Sequence, residues 1–123
     1  MKKVLISLVL LITTICAYAA DWQAYEEKGF FIDKSSITKN NNSTKAWILI
    51  VGHGELNKKK YAYIQSYMDA TCSENKMAYL ETVYYSKKHY PIASYNFEAN
   101  DKVEFNRIIP DSRGEAIYNT LCH

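Results

Sequence analysis

Residues 60–72 read KYAYIQSYMDATC, and their side chains alternate in character with a period of two. One set consists of Tyr61, Tyr63, Gln65, Tyr67 and Asp69, and the other consists of Ala62, Ile64, Ser66, Met68, Ala70 and Cys72. Period two is the repeat of a β-strand, in which successive side chains point to opposite faces. Alanine, lysine, methionine and glutamine also favour a helix, but tyrosine at every second position favours the strand. We therefore predict a strand whose second set, which includes Cys72, faces the core.

The neighbouring segments extend this strand into a sheet. Residues 77–85 alternate in the same way after the turn residues 73–75 (SEN), which predicts a hairpin. Upstream, residues 46–51 read AWILIV and form the most continuous apolar run after residue 19. A run of this length is typical of a central strand that is buried on both faces. The glycines of residues 52–54 (GHG) are predicted to end it.

Further strand signals lie on both sides of this central region. Residues 22–27 and 30–33 are short segments that suit the start of the sheet. The asparagine-rich residues 39–45 are typical of a hairpin loop. Residues 95–97 and 103–109 supply one or two more strands. The whole pattern predicts an antiparallel sheet built from short connections.

The C-terminal segment has a different period and predicts a helix. Ser112 is followed three residues later by Glu115, which is a capping box in which each side chain accepts a hydrogen bond from a free amide. Apolar residues then recur at helical spacing at Ile117, Tyr118, Leu121 and Cys122. A helix of about ten residues is too short to persist alone in water, so its apolar face must dock on the sheet. The predicted fold class is therefore α+β.

The N-terminus is typical of a bacterial secretory signal peptide. Met1-Lys2-Lys3 is positively charged, residues 4–15 form an almost unbroken apolar run, and Ala17-Tyr18-Ala19 matches the small-x-small pattern before a cleavage site. The apolar run is too short to span a bilayer, which needs about 20 residues. A lipoprotein signal would be cut before Cys16, but the isoleucine ahead of it is a poor fit to that alternative. We therefore predict that residues 1–19 are removed.

The remaining residues, 20–123, are predicted to form a single domain without net charge. Thirteen lysines and arginines remain once Lys2 and Lys3 are removed, against thirteen aspartates and glutamates. A chain of this length suits one domain. The overall basic charge of a nucleic-acid-binding protein is absent. We expect no nucleic-acid partner and no transmembrane segment in the mature chain.

Cys72 and Cys122 are the two cysteines that follow residue 19. In the oxidising compartment outside the cytoplasm, an even pair predicts one disulfide. Closing such a loop stabilises a fold by about 4 kcal/mol in the chain-entropy model. The alternative is a pair of free buried thiols. A redox-active pair is disfavoured because the chain has no Cys-x-x-Cys spacing.

No residue pattern in the chain indicates catalysis or metal binding. His53, His89 and His123 are dispersed and lack the spacing of metal ligands. His53, between two glycines, is the most suggestive of the three, but a polar turn residue explains it as well. The chain has no nucleophile elbow, zinc-protease motif or phosphate loop. We therefore predict a non-enzymatic protein without a metal or cofactor.

Two lysine clusters are candidate binding residues. Lys58, Lys59 and Lys60 form one, and Lys87-Lys88-His89 forms the other; both are predicted to lie at strand ends. Such clusters bind polyanions, for example glycosaminoglycans, or acidic patches on proteins. Solvated turns, or lysines that protect a sheet edge from pairing, produce the same pattern.

Tyr61, Tyr63 and Tyr67 form the better candidate surface. Tyrosine is enriched at interface hot spots because it combines a large ring with a polar tip. The period of two shows that the two faces of the strand differ, but it does not show which one is exposed. The tyrosines therefore bind a ligand, lie under the C-terminal helix, or lie in a homodimer.

The order of these features resembles the surface-adhesin protein E family. The matching pieces, in chain order, are Trp22, Phe31-Ile32-Asp33-Lys34-Ser35-Ser36-Ile37, the strand through Trp47, Cys72 after an alternating strand, and Phe105-Asn106-Arg107-Ile108-Ile109-Pro110-Asp111-Ser112 before Cys122. Together they cover essentially the whole chain after residue 19. Two positions depart from the family pattern, which places tryptophan where this chain has Phe105 and glycine where it has Asp111.

The resemblance implies an antiparallel sheet of about six strands, with the C-terminal helix tied to its concave side by a Cys72–Cys122 disulfide. It also implies display in the bacterial envelope and adhesion to host cells or extracellular-matrix proteins. We therefore expect an exported protein, in the periplasm or on the outer surface, that binds a protein or matrix ligand. The alternative is a periplasmic inhibitor or immunity-type protein that blocks a secreted enzyme such as a lysozyme, with residues 52–55 as the inserting loop.

Overall fold

The computed structural model describes residues 20–25 and 28–123, so the predicted signal peptide lies outside the described residues. The elements are β1 (Trp22–Tyr25), β2 (Phe30–Asp33), β3 (Thr38–Asn40), β4 (Ser43–Leu56), β5 (Lys59–Thr71), β6 (Lys76–Tyr85), β7 (Pro91–Asn96), β8 (Asn106–Arg107) and the helix α1 (Arg113–Cys122). Among these residues, no helix is long and apolar enough to cross a membrane.

The strands form one antiparallel sheet. Its main order is β1-β2-β4-β5-β6-β7, with β3 paired to β4 and β8 paired to β6 beside that path. The predictions of an antiparallel sheet of about six strands and of one C-terminal helix are confirmed, since six strands make up the main order. The predicted hairpin of residues 60–72 and 77–85 is also present, as β5 and β6.

The core lies between α1 and one face of the sheet, which we call the helix-bearing face. Met68 and Ala70 of β5 are buried there, as their alternation predicted. In the strand register, Ala46 of β4 lies directly opposite Met68, and Ile48 lies two residues further along β4. The helix contributes the buried side chains Ile117, Tyr118 and Leu121. The sheet is therefore buried on the face that carries these residues.

The predicted cap of α1 is present in a modified form. Ser112 Oγ accepts a hydrogen bond from the backbone N–H of Glu115 at 3.1 Å. The Glu115 carboxylate accepts a hydrogen bond from the backbone N–H of Asp111 at 3.3 Å, one residue earlier than in the standard capping box. Asp111 has φ of 58°, in the left-handed region that favours glycine. A glycine at this position would adopt the same conformation with less strain.

The disulfide joins Cys72, just after β5, to Cys122 in the last turn of α1, with 5.5 Å between the Cα atoms. The predicted pairing is confirmed. Tyr118 reinforces this connection, because its hydroxyl donates a hydrogen bond to the backbone oxygen of Cys72 at 2.7 Å. The short helix is therefore held to the end of β5 by a covalent bond, by a hydrogen bond and by its apolar face.

Strand β4 differs from the prediction in two ways. The glycines do not end it, because the strand runs to Leu56 through a β-bulge between Val51 and Gly54. The prediction that it is buried on both faces is also wrong, because Ala46 and Ile48 are fully buried while Val51 is 44% exposed. The turn follows at Asn57 and Lys58, whose positive φ values are those of a type I′ hairpin turn.

Gly54 has a steric reason to be glycine. A Cβ atom at this position would overlap the ring and hydroxyl of Tyr61, its cross-strand partner. The Tyr61 ring lies close over the backbone of Gly54 and meets Tyr84 edge to face, with 5.0 Å between ring centroids. The glycine therefore serves close approach of a side chain and not the end of the strand.

Asp33 ties the first strands together. Its Oδ1 accepts hydrogen bonds from the backbone N–H of Asp21 at 2.9 Å and from the backbone N–H and hydroxyl of Ser35 at 3.0 and 2.6 Å. Burial raises the pKa of Asp33, but these three hydrogen bonds together outweigh burial and hold the pKa below its ordinary value.

We expect that replacing both disulfide cysteines by serine lowers the free energy of unfolding by up to about 4 kcal/mol, because the 50-residue loop is then open in the unfolded chain. The amides of α1 should also exchange faster than those of β5. Urea unfolding and hydrogen exchange measure the two effects. Tyr118→Phe is the matched control, since it removes one hydrogen bond worth about 1 kcal/mol and keeps the disulfide. A double variant as stable as Tyr118→Phe would contradict the prediction.

Asp33→Asn should remove an acid-sensitive part of the stability. Because the pKa of Asp33 is lower in the folded chain, its carboxylate stabilises the fold above about pH 4, and that contribution is lost as the pH falls below this value. The wild type should therefore lose more stability than Asp33→Asn between pH 6 and pH 3, measured by urea unfolding at each pH. The exposed Asp101 supplies the control variant Asp101→Asn, which should keep the wild-type slope. Parallel pH profiles for the wild type and Asp33→Asn would rule out this role.

Gly54→Ala should displace the ring of Tyr61 from Tyr84 and lower the free energy of unfolding by about 1 kcal/mol. Contacts between the protons of the two rings, measured by NMR, should disappear. Gly52→Ala is the matched control two residues away, since nothing lies within 4 Å of the Cβ position there. Equal effects of the two variants would show that backbone flexibility, and not the Tyr61 ring, requires glycine in the bulge.

Candidate ligand-binding surface

The face of the sheet opposite α1 carries a set of apolar and aromatic side chains that no element covers among the described residues. The strand register aligns them in three rows, which run Trp47–Tyr67–Glu81, Leu49–Gln65–Val83 and Val51–Tyr63–Tyr85. We call this surface the aromatic face and define it by Trp47, Leu49, Val51, Tyr63, Tyr67, Val83 and Tyr85. Val51 is exposed and the other six members are half-buried, so this face is not part of the buried core.

Two pairs of rings hold the aromatic face in one arrangement. Trp47 and Tyr67 lie with 5.3 Å between ring centroids, and Tyr63 stacks on Tyr85 at 5.0 Å with only 8° between their planes. The Tyr63 hydroxyl also forms a hydrogen bond with Nδ1 of His89 at 2.9 Å. Burial, and then the neighbouring Tyr85, raise the pKa of Tyr63. Rings that are already fixed lose little conformational entropy when a partner binds.

The three tyrosines predicted to form one surface are divided. Tyr63 and Tyr67 lie on the aromatic face and not under the helix, so the structure excludes one of the three alternatives considered for them. Tyr61 instead contacts Tyr84, whose cross-strand neighbour Ile64 belongs to the other side of the strand. The β-bulge in β4 leaves room for the Tyr61 ring over Gly54, so the simple period of two does not describe the contacts of this residue.

The two lysine clusters lie at the same end of the sheet. Lys58, Lys59 and Lys60 are exposed around the β4–β5 turn, and Lys87 and Lys88 are exposed in the β6–β7 turn. The pairing of Tyr63 with Tyr85 places these two turns side by side. We call this region the basic end and define it by the five lysines. The sequence identified both clusters, but only the strand order shows that they adjoin.

A groove on the helix-bearing face was not predicted. It has a volume of about 280 Å³, lies beyond the part that α1 covers, and is lined by Ile50, Ile64, Ser66, Tyr79, Thr82, Tyr84, Tyr95 and Phe97. Burial, and then the neighbouring tyrosines, raise the pKa of Tyr84. The hydroxyls of Ser66 and Thr82 form a hydrogen bond with each other at 3.0 Å. The only sequence signal for the groove was the alternation of residues 77–85, which does not show where the helix ends.

The described residues contain no group of three His, Cys, Asp or Glu side chains that could hold a metal ion. The buried carboxylates Asp33 and Asp69 each accept a hydrogen bond from a serine hydroxyl, at 2.6 Å and 2.5 Å. Residues 52–55, proposed above as an inhibitory loop, belong to the bulged part of β4. The predicted turn is therefore absent, because these residues continue strand β4, with Gly54 and Glu55 paired to β5.

Comparison with known proteins identifies this fold. The family model described as surface-adhesin protein E matches residues 22–123. Crystal form II of Haemophilus influenzae protein E superposes with a TM-score of 0.62 at 14% identity, covering 85% of this chain and 89% of that one. The selenomethionine form of the same protein gives a TM-score of 0.58 at 13% identity, with coverages of 85% and 92%. No curated protein sequence matches the chain.

At this level of identity the structural likeness shows the fold alone, while the family model rests on the sequence and spans the described domain. The resemblance noted from Trp22, Trp47, the two disulfide cysteines and the segment before α1 is thereby confirmed. The chain belongs to the surface-adhesin protein E family.

Proposed function

We propose that this protein is exported to the bacterial envelope and binds a host protein or matrix ligand through its aromatic face. Membership of the family supports a surface-adhesin-like protein without catalytic activity. The observation that carries the proposal is the pair of fixed ring contacts, Trp47–Tyr67 and Tyr63–Tyr85, on the face that α1 leaves open.

The energetics of this face suit a protein partner. Tryptophan and tyrosine are the residues that most often carry binding energy at protein interfaces. Leu49 and Val83 lie on either side of Gln65 in the middle row, and the rings lie in the two rows next to it, so that most of the patch is aromatic or apolar. Gln65, Glu81 and Asn96 supply polar groups within and beside the rows. Specific interfaces combine aromatic and apolar contacts with a small number of hydrogen-bonding groups.

Removing the rings should weaken binding. We expect Trp47→Ala with Tyr67→Ala to lower the affinity for immobilised basement-membrane extract by at least tenfold, measured by biolayer interferometry on the folded chain. Phe105→Ala is the matched control, because Phe105 is 45% exposed and lies outside the aromatic face. If the double variant folds poorly, Val51→Glu takes its place. This substitution puts a charge among the rings without removing a ring contact, and it should lower the affinity to a similar extent.

A second experiment, on whole cells, tests the location of the protein. Protease treatment of intact cells should remove the protein if it is displayed on the surface, while a periplasmic marker stays intact. Protection from protease, or wild-type affinity in both the ring variant and Val51→Glu, would overturn the proposal. Binding lost equally in Phe105→Ala would show that the assay reports general adhesiveness and not this face.

A further inference from the structure

The charge of the domain is unevenly distributed, although residues 20–123 carry none overall. Segments 53–63 and 85–91 contain all five lysines of the basic end and a single carboxylate, Glu55. These two segments therefore carry a net charge of +4, and the rest of residues 20–123 carries −4. Such a separation creates a local positive potential that the overall composition hides.

The fold concentrates these lysines in a small region. The β4–β5 hairpin continues through the pairs Glu55–Lys60 and Leu56–Lys59, beyond the last residue of β6. The β6–β7 turn lies beside it, closed by a 2.9 Å hydrogen bond from the backbone N–H of Ser86 to the oxygen of Tyr90. Strand spacing of about 4.8 Å and a rise of about 3.3 Å per residue place the two lysine groups roughly 10 Å apart.

The backbone at the tip of the hairpin is strained at a position that carries a charged side chain. Asn57 and Lys58 have φ values of 51° and 66°, and glycine is the residue that best fits the second of these positions in such a turn. A lysine there costs backbone energy that glycine would avoid. Strained residues are concentrated at functional sites. The turn therefore carries a cation where stability alone favours glycine.

These features indicate the chemistry of the ligand. The basic end contains no arginine, since Arg107 and Arg113 are the two arginines of the chain and lie in β8 and α1. Lysine is depleted at protein interfaces, and it binds anions as a mobile point charge without the paired geometry of arginine. Exposed point charges spread over roughly 10 Å suit a ligand that carries repeated negative groups along an extended chain. The exposed ring of Tyr90, 67% accessible, lies in the β6–β7 turn and can stack on a sugar ring.

We propose that the basic end is a binding site for a linear anionic polysaccharide, bearing sulfate or carboxylate groups. The five lysines are not members of the aromatic face, although its row Val51–Tyr63–Tyr85 adjoins them, so the inference goes beyond the proposed function. Charge complementarity favours it over an acidic protein, which would need an apolar contact centre as well.

The test is a titration of the full domain with a defined heparin octasaccharide, by isothermal calorimetry at several salt concentrations. Affinity should fall steeply as salt rises, because each neutralised anionic group releases a counterion. Lys58→Gln with Lys59→Gln and Lys60→Gln should lower the affinity at least tenfold and reduce the salt dependence. Lys87→Gln with Lys88→Gln should lower it several-fold.

The control variant removes three charges elsewhere. Lys34, Lys39 and Lys102 are exposed and lie outside the basic end, so replacing all three by glutamine should leave heparin affinity within about twofold of the wild type. No binding at physiological salt, or an equal loss in this control, would overturn the proposal. Binding to anionic phospholipid vesicles that is stronger than binding to heparin would identify the site as a membrane contact, which also overturns it.

Lys58→Gly separates charge from folding. This variant should raise the melting temperature by about 5 °C, since glycine relieves the strained turn, while it lowers heparin affinity several-fold. Lower affinity in a more stable variant cannot result from misfolding. A variant that is more stable but binds heparin like the wild type would show that Lys58 is not a ligand contact.

Substitutions at one of the two proposed sites should not weaken binding at the other. The ring variants of the aromatic face should bind heparin with wild-type affinity. The lysine variants should bind basement-membrane extract with wild-type affinity once the extract has been treated with heparinase and chondroitinase. Loss of matrix binding in the lysine variants, with no effect on heparin, would overturn the polysaccharide site and leave the proposal for the aromatic face intact.

Discussion

The pairing of β4 with β5 is the constraint on which the other features depend. It runs from Ser43–Thr71 to Leu56–Lys59, interrupted by one bulge. Because side chains alternate across a strand, this register places Ile48 beside Ser66 on the helix-bearing face and Trp47 beside Tyr67 on the aromatic face. A slip by one residue would exchange the two faces. The burial of Ile48 and Met68 therefore stabilises the register and, through it, the exposed rows of rings.

The helix determines which of the two faces is available to a ligand. Ile117 and Leu121 of α1 pack in the core on the helix-bearing face, and the Cys72–Cys122 disulfide holds the helix at the end of β5. A ten-residue helix has little stability of its own, so tertiary contacts and the disulfide must supply it. What the helix leaves open is the aromatic face behind the sheet and the groove beside Tyr84.

Binding and stability make different demands at the far end of the β4–β5 hairpin. Gly54 is required because Tyr61 lies against it, whereas Lys58 occupies a position that glycine would fill with less strain. The same hairpin thus contains one glycine that serves packing and one lysine that packing does not require. The stacked rings of Tyr63 and Tyr85 lie at the end of β6, and the five lysines lie in and beside the turns just beyond them. This arrangement suits two kinds of contact, one apolar and specific, the other electrostatic and dependent on salt.

Several features could be read from the chain because they depend on neighbours in sequence. The alternation of residues 60–72, the cap at Ser112 and the cysteine pair each indicated a local element or a link, and each is present. The family pattern was also visible in the order of its pieces. The end of β4 was not, because glycine reads as a breaker in a sequence while here it makes room for a ring that comes from another strand. Two features depend instead on contacts between residues far apart in the chain: the separation of Tyr61 from Tyr63 and Tyr67, and the proximity of the two lysine clusters. Those contacts exist only once the strands have paired in their order, so the tertiary structure alone decided them.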